Sequence, residues 1–578
     1  MATDPEAENP PPPETRDGSE ALAADAASGA APEDDPATED DGATDERRTA
    51  AVPDERASGA IARRAGVVAA GTLTSRVLGF ARDVVFAAVF PAAATDLFFV
   101  AFTIPNALRT LLGEGAVSSA VVPVFSEVRV KQGEEPARRY FAALTGLLGL
   151  TLLAVSALGV VAAPALVSVY ATGYLDDPTR FAETVALTRA VFPYIFFIGL
   201  AALGIGGLNA LRRFVVPAFA PALLNVALIA AAFTLVGPAA WLGLPPVGAL
   251  CLGAVIGGLL QLVAQWPVQR RVGLLRMPRL DLSSPSVRKT LKLMVPLLAG
   301  FGVYQLNTML GRSFATFLPT GSQSFIWYGQ RLVEIPQGMF ALAIAAASLP
   351  TLSELRSRGD LAKVREVFAY SLRLTLFLAI PSTVGLAVLA EPVVAVAFGR
   401  GEFSRAEVVE TAASLRWQAA GVWAIASVRT VVPMFFAYQD TRSPVVASAA
   451  NLVIFAAAAL ALMGPLEHVG IAVALSAAGV AQLAMLLWLL RRRAGRLGLR
   501  PVVGSALRIG AAAVVMGLVS GAIAQLGDWE RGGNHAPNVA WLVAAVTTGA
   551  GVYLGAAWLL RVPELRELWA AARRRAAR

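Results

Sequence analysis

Between residues 61 and 560 the sequence is a succession of apolar stretches. Most run for about twenty residues, the length a helix needs to cross the hydrocarbon core of a bilayer. Fourteen spans are predicted, at roughly 61–90, 95–125, 140–170, 185–211, 217–237, 246–268, 291–318, 323–353, 368–398, 408–438, 443–464, 469–490, 503–526 and 538–560. The loops between them sort by charge. One alternating set holds VRVKQGEEPARR, LRRF, QRRVGLLRMPRLDLSSPSVRKTLK, ELRSRGDLAKVRE, DTR and RRRAGRLGLR. The other set has only Arg180, Arg400, Arg405 and Arg531. Basic loops stay in the cytoplasm, so both termini are expected there. One missed span would scramble this alternation. The net charge of +8 therefore reports topology and gives no reason to expect nucleic acid.

The ends differ from the body. Residues 1–60 contain 17 Asp and Glu against 4 Arg, with almost no large apolar side chains. Such a segment cannot bury a core and is expected to be a disordered acidic cytoplasmic tail. It lacks the basic and apolar regions of a secretory signal. Residues 562–578 form a basic cytoplasmic tail ending RRRAAR, suited to anionic headgroups.

The body repeats itself. AVVPVFSE ending at Glu127 matches ASLPTLSE ending at Glu354. Pro164 then pairs with Pro392, Pro217 with Pro444 and Asn225 with Asn451, at nearly equal intervals. Six spans per unit leave the two units in the same orientation. The expected fold is an all-α polytopic membrane protein: a six-helix bundle at 61–270, a second at 271–495, and two additional helices at 496–561. A site between two such bundles is a familiar transporter arrangement. The additional helices carry Gly517/Gly521 and Gly551/Gly555, a spacing that lets helices approach closely.

Charge inside the spans points to the site. The stretch Thr72–Glu127 is apolar, yet it contains Arg76, Arg82, Asp83, Asp96, Arg109 and Glu114. Each charge at mid-bilayer costs about 2.5–3.5 kcal/mol on insertion scales, so these six should not face lipid. Arg76 and Asp83 are nearly two turns apart on one helical face, with Arg82 beside it. Pro105 and Asn106 are expected to interrupt the second segment, as happens where helices line a cavity. The second unit adds Arg331 and Glu334 in SFIWYGQRLVEIPQG. Two readings of these groups stand side by side. They line a cavity for an anionic substrate, or they pair across helices as structural locks; the lock reading suits Asp83 and Glu114 best. Of the other intramembrane arginines, Arg373 reads as interfacial, and Arg312 and Arg429 are not assigned to the site.

SRVLGFARD followed by ATDLFFVAFTIPNALRTLLGEGAVSSAVVPVFSE resembles the opening of the MurJ (MviN) family of lipid II flippases, and similarity continues to the C-terminus. The resemblance implies a MATE-like exporter architecture, with multidrug and polysaccharide exporters as relatives. It implies location in the bacterial cytoplasmic (inner) membrane and lipid II as substrate. Arg76, Arg82, Asp96, Arg109 and Arg331 are then substrate-binding candidates, with Asp83, Glu114 and Glu334 as supporting cavity charges. An arginine at the position of Arg331 faces the central cavity in that family. The Asp that often precedes it is Gln330 here, so no role passes to that position. The two extra helices would shape a groove for the lipid tail. Partners implied are lipid II, membrane lipids and proteins of cell-wall synthesis, with the chain itself a monomer.

Other chemistries find little support. No GxxxxGK[ST] loop is present, so ATP is not the direct energy source. His468 and His535 are far apart and Cys251 is alone, which argues against a metal site, a nucleophilic pair or a disulfide. Some members of the resembled family bind sodium, but the spans around 291–318 and 408–464 offer Gln305, Asn307 and Asn451 without an interior carboxylate. Membrane potential is the expected drive, with no cofactor. Alternatives are an exporter of polysaccharide-linked lipids or drugs, a membrane-embedded glycosyltransferase using Asp96 and Glu114, and a scaffold for wall synthesis acting through the acidic tail.

Overall fold

The computed structural model describes residues 55–111, 117–337, 342–495, 497–533 and 535–576. Most of the acidic tail and Glu114 lie outside the described residues.

The first half consists of α1 (Glu55–Val89), α2 (Ala92–Thr110), α3 (Val117–Gln132), α4 (Glu134–Val161), α5 (Ala163–Tyr170), α6 (Pro178–Val191), α7 (Tyr194–Ala210), α8 (Val215–Thr234), α9 (Val236–Trp241), α10 (Gly248–Val263) and α11 (Trp266–Arg271). The second half holds α12 (Pro285–Ala315), α13 (Ser322–Pro336), α14 (Leu342–Ser357), α15 (Leu361–Val388), α16 (Ala390–Phe398), α17 (Arg405–Ala420), α18 (Val422–Ala437) and α19 (Arg442–Ala494). Then come α20 (Arg500–Ala524), α21 (Ala536–Leu559) and α22 (Pro563–Ala576).

The chain is a multi-pass helical membrane protein. Among the described residues, nine helical stretches are long and apolar enough to cross a bilayer. One of them, α19, is a 53-residue run broken at Glu467 (φ 50°, ψ −132°) beside Pro465, and it is long enough for two passes. Ten of the fourteen predicted spans correspond to these nine stretches; those on α1, on α2 and α3, on α12 and on α13 and α14 do not. Arg76, Arg82 and Asp83 interrupt α1, and α13 has only 15 residues. The stretches least suited to lipid are the ones that meet at the centre.

The repeat is visible in the helices. α4 and α15 both have 28 residues, and each is followed by a short helix, α5 or α16, carrying Pro164 or Pro392. α3 and α14 both have 16 residues with a proline inside, Pro123 or Pro350. Asn225 and Asn451 are both buried. One expectation is corrected: α2 runs through Pro105 to Thr110, and the regular helix ends at Leu111. Its counterpart α13 gives way at Gln337, the equivalent place.

The expected boundary near residue 270 is not a clean division. Val287 and Met294 of α12 share a core with Phe125 of α3 and Leu144 of α4, and the Tyr140 and Thr290 hydroxyls are 2.6 Å apart. At its other end, Ala315 packs with Phe455 and Ile471 of α19. Helix α12 therefore ties the halves together.

The additional helices pack on the second half. Gly517 and Gly521 of α20 lie against Val384 and Val388 of α15, where a Cβ on Gly517 would come within 2.7 Å of Val384. Gly551 and Gly555 have no such neighbour; Gly549 is the glycine of α21 that faces α20, at Ser520. Arg373, expected at the interface, anchors α22. Its guanidinium lies 3.2 Å from buried Glu564 and 3.3 Å from Glu567, and Ser505 Oγ donates to Glu564 at 2.6 Å.

Candidate functional site

Helix α13 faces α2, and through its side chains α1, across the seam between the halves, and these contacts fall into three successive layers. The first is a polar latch where α2 and α13 begin. Gly321, in the left-handed region at φ +99°, turns the chain into α13, and its N–H donates to Asp96 Oδ2 at 2.6 Å. The Ser324 amide donates to Asp96 Oδ1 at 2.8 Å. The Ser324 hydroxyl lies within 3.0 Å of Asp96 Oδ1, Ala92 O and Thr95 Oγ1. Arg180 stands 3.6 Å from the same carboxylate. Asp96 thus caps the other half's helix, where the helix dipole favours an anion. Conversely, Glu407 of α17 accepts the Ala92 amide at 2.8 Å and caps α2. Asp96, expected to line the cavity, is buried here with both oxygens engaged.

The second layer is aromatic. Phe99 stacks on Trp327 with centroids 4.4 Å apart and meets Tyr328 edge-on at 5.8 Å. Tyr328 in turn touches Phe398 and Phe403. The spacing of 324, 327/328, 331 and 334 puts these groups on one face of α13, one turn apart.

The third layer is ionic. Asp83 of α1 is fully buried and bridges the halves. Its Oδ1 accepts from Arg82 Nε and Nη2 at 3.1 and 2.7 Å, and its Oδ2 accepts from Arg331 Nε at 2.6 Å. Arg331 also donates to Glu334 at 2.8 Å. Asn225 orients Arg82: it accepts from Nη1 at 3.0 Å and donates to Ser75 O at 3.1 Å. Arg109 bonds Asn106 Oδ1 at 3.0 Å, and both Arg109 and Arg331 act electrostatically on Arg82. Arg76, on α1 beyond this group, is exposed and forms no ion pair with the described residues. The structure therefore brings together Arg82, Asp83, Arg331 and Glu334, with Arg109 within their field.

Asn225, Arg312 and Trp327 are among the seam residues that were not assigned to it from sequence. Asn225 stood out there only as a repeat marker. Arg312 reaches across to Thr103 Oγ1 at 2.8 Å and lies over the Trp327 ring at 4.4 Å. An arginine inside an apolar span was the available signal for Arg312; nothing in the pattern singled out Trp327.

An apolar cleft of about 610 Å³ runs along the same wall. Phe80 and Val84 of α1, Leu332 of α13, Val393 of α16 and Leu542 of α21 line it, with Arg400 at its edge. Val84 and Leu332 are the chain neighbours of Asp83 and Arg331, so the ionic site and the apolar trough occupy neighbouring faces of the same two helices.

Residues 86–531 match the family model described as Lipid II flippase MurJ. The chain belongs to the MurJ family. A probable lipid II flippase MurJ of Bdellovibrio bacteriovorus is 37% identical over 70% of this chain and 77% of its own length. The lipid II flippase MurJ of Burkholderia cenocepacia is 33% identical over 85% of this chain and 95% of its own. Among solved structures, a MurJ in an inward closed conformation superposes with a TM-score of 0.71 at 24% identity, covering 87% of this chain and 99% of that one. An inward-facing MATE-family multidrug transporter superposes with a TM-score of 0.59 at 16% identity, covering 73% of this chain and 95% of that one. These two likenesses establish the shared fold. The MurJ match begins at Phe86, so the roles of Arg76, Arg82 and Asp83 stand on the geometry and on the stretch resembling the family's opening.

Proposed function

We propose that this chain is a lipid II flippase that moves the undecaprenyl-diphosphate-linked peptidoglycan precursor from the inner to the outer leaflet by alternating access. One observation carries the reading: an arginine cluster drawn from both halves of the seam sits on the same helices, α1 and α13, that line an apolar cleft of about 610 Å³. That pairing suits a substrate with a diphosphate head and a long hydrocarbon tail. Arg82, Arg109 and Arg331 hold the diphosphate through paired, charge-assisted bonds, and Arg76 receives it at the open end of α1. The tail follows the cleft against α1 and α21. In the conformation described, Asp83 and Glu334 occupy the guanidiniums that the diphosphate would take. Substrate entry exchanges one anion for another, releases the bridge between α1 and α13, and lets the halves rock.

The termini and the basic loops face the cytoplasm, and the Asp96 latch closes the outer end. Asp96 acts as a gate residue in this assignment, with no contact to the diphosphate. Membrane potential drives the cycle; sodium and ATP are not required. Depletion of the protein in cells without a second flippase tests the whole reading. Outer-leaflet lipid II is expected to fall while the cytoplasmic pool rises; unchanged outer-leaflet lipid II overturns it. In vesicles, flipping should follow an imposed potential, and a steep sodium requirement at fixed potential overturns the coupling.

A further inference from the structure

Arg312 is an intramembrane arginine with no carboxylate in ion-pair contact among the described residues, Glu334 acting on it only from a distance. Arg82 and Arg331 each have carboxylate partners, but no carboxylate among the described residues comes within 4 Å of the Arg312 guanidinium. It has the Thr103 hydroxyl of the first half and the face of Trp327 in the second. A guanidinium carries five N–H donors, and one hydroxyl leaves most of them unanswered. Two more donors lie in the same pocket. The Trp327 indole N–H is buried without an acceptor. The Tyr170 hydroxyl is buried with no well-formed hydrogen bond, within the field of Arg312. The Trp327 ring also lies 5.5 Å from Arg331, so one ring joins the two arginines. Positive charge and spare donors, with acceptors missing, are what an anion completes.

We propose that Arg312, with Trp327 and Tyr170, forms a second phosphate station of the translocation path. It lies one layer nearer the latch than Arg331 and receives the diphosphate after that group. The proposal rests on the flippase reading. It adds a residue that contacts substrate directly, placed so that the charge moves from a site neutralised by carboxylates to one that is not. Such stepping avoids leaving the diphosphate unpaired in a low-dielectric seam.

Binding of undecaprenyl diphosphate to purified full-length protein tests it, with inorganic diphosphate as competitor and undecaprenol as the phosphate-free control. R312A is expected to keep its melting temperature, to bind undecaprenyl diphosphate about tenfold more weakly, and to bind undecaprenol as the native protein does. R312K should recover part of the loss, because the charge returns without the planar fork. If R312A does not fold, R312K and T103V decide: each should weaken diphosphate binding in folded protein, by less than tenfold. Unchanged affinity in a folded Arg312 variant overturns this station and leaves the flippase reading standing. Failure of the native protein to bind undecaprenyl diphosphate at all overturns both. Equal weakening for undecaprenol would mean that Arg312 only holds the helices together, which also overturns it.

Discussion

Asp83 and Glu127 both join the halves of this protein through ion pairs, and they sit in opposite settings. Asp83 reaches from α1 to Arg331 with none of its side chain exposed. Glu127 reaches from α3 to Lys289 of α12 at 2.5 Å and to Lys131 at 3.0 Å, with 37% of its side chain exposed. Both are short and both cross between the repeats. The difference lies in what happens when a partner leaves. Around Glu127, water replaces the lost contact, and exposed pairs of this kind contribute little. Asp83 itself is sealed from water, and removing the carboxylate that two guanidiniums share strands charge at a cost of about 3–5 kcal/mol. Only the buried bridge can therefore make substrate binding and movement of the halves one event.

The sharpest way to break this comparison is Asp83→Asn. It keeps the shape and removes the anion, leaving Arg82 and Arg331 with their charges opposed. Flipping is expected to be lost and the melting temperature to fall by several degrees. D83N/R331Q should restore much of the abundance without restoring transport, since the stranded charge is gone but the site is not rebuilt. An active, fully stable D83N protein would show that Asp83 is neither bridge nor switch.

Arg331 and Arg109 come next. Arg331→Ala is expected to abolish flipping while protein persists, because Asp83 keeps Arg82 as partner. Arg331→Lys should return a minority of the activity. Arg109→Ala should behave likewise. Complementation measured beside abundance separates loss of site from loss of fold. Stable Ala variants with native diphosphate binding at both positions would remove them from the site.

The latch should give a smaller effect of a different kind. Asp96→Asn retains one acceptor for the Ser324 and Gly321 amides but loses the charge that complements the α13 N-terminus. A loss of about 1–2 kcal/mol is expected for one weakened charge-assisted cap. It should appear as increased labelling of a cysteine placed at Thr95 from the latch side, with substrate affinity at the arginines unchanged. Labelling identical to that of the T95C background would mean that Asp96 does not hold the seam shut.

Much of this fold was legible from sequence because a bilayer leaves few options. Span lengths, the charge of the loops and the matched prolines all follow from local pattern, and the paired 28-residue helices α4 and α15 reflect the repeat directly. Composition could also show that charges such as Asp83 and Arg331 need shelter. It could not show how they pair. Asp96 and Asp83 have similar apolar flanks, yet one caps a helix from the other half and one bridges two arginines. Which amide or guanidinium lies opposite is set by contacts more than 200 residues apart along the chain. Arg312 was legible as an anomaly only. Its significance depends on Thr103 and Trp327, brought beside it by packing.

The smallest effect belongs to Glu127, and it completes the contrast with Asp83. Bonds from Lys289 and Lys131 hold its carboxyl down at about 2, well below the usual carboxylate range. Any stability from such a shift is present above the unfolded value and lost only as pH falls towards 2, and solvent screening keeps it small for so exposed a pair. Between pH 7 and pH 5.5 the group is therefore ionised in both states, and this pair should add no pH dependence to stability or flipping. Glu127→Gln should likewise leave the melting temperature within error, because the lysines it releases are already in water. The check is to melt E127Q and D83N side by side at both pH values. If E127Q costs as much as D83N, burial is not what separates the two bridges, and the coupling assigned to Asp83 would have to be shared along the whole seam.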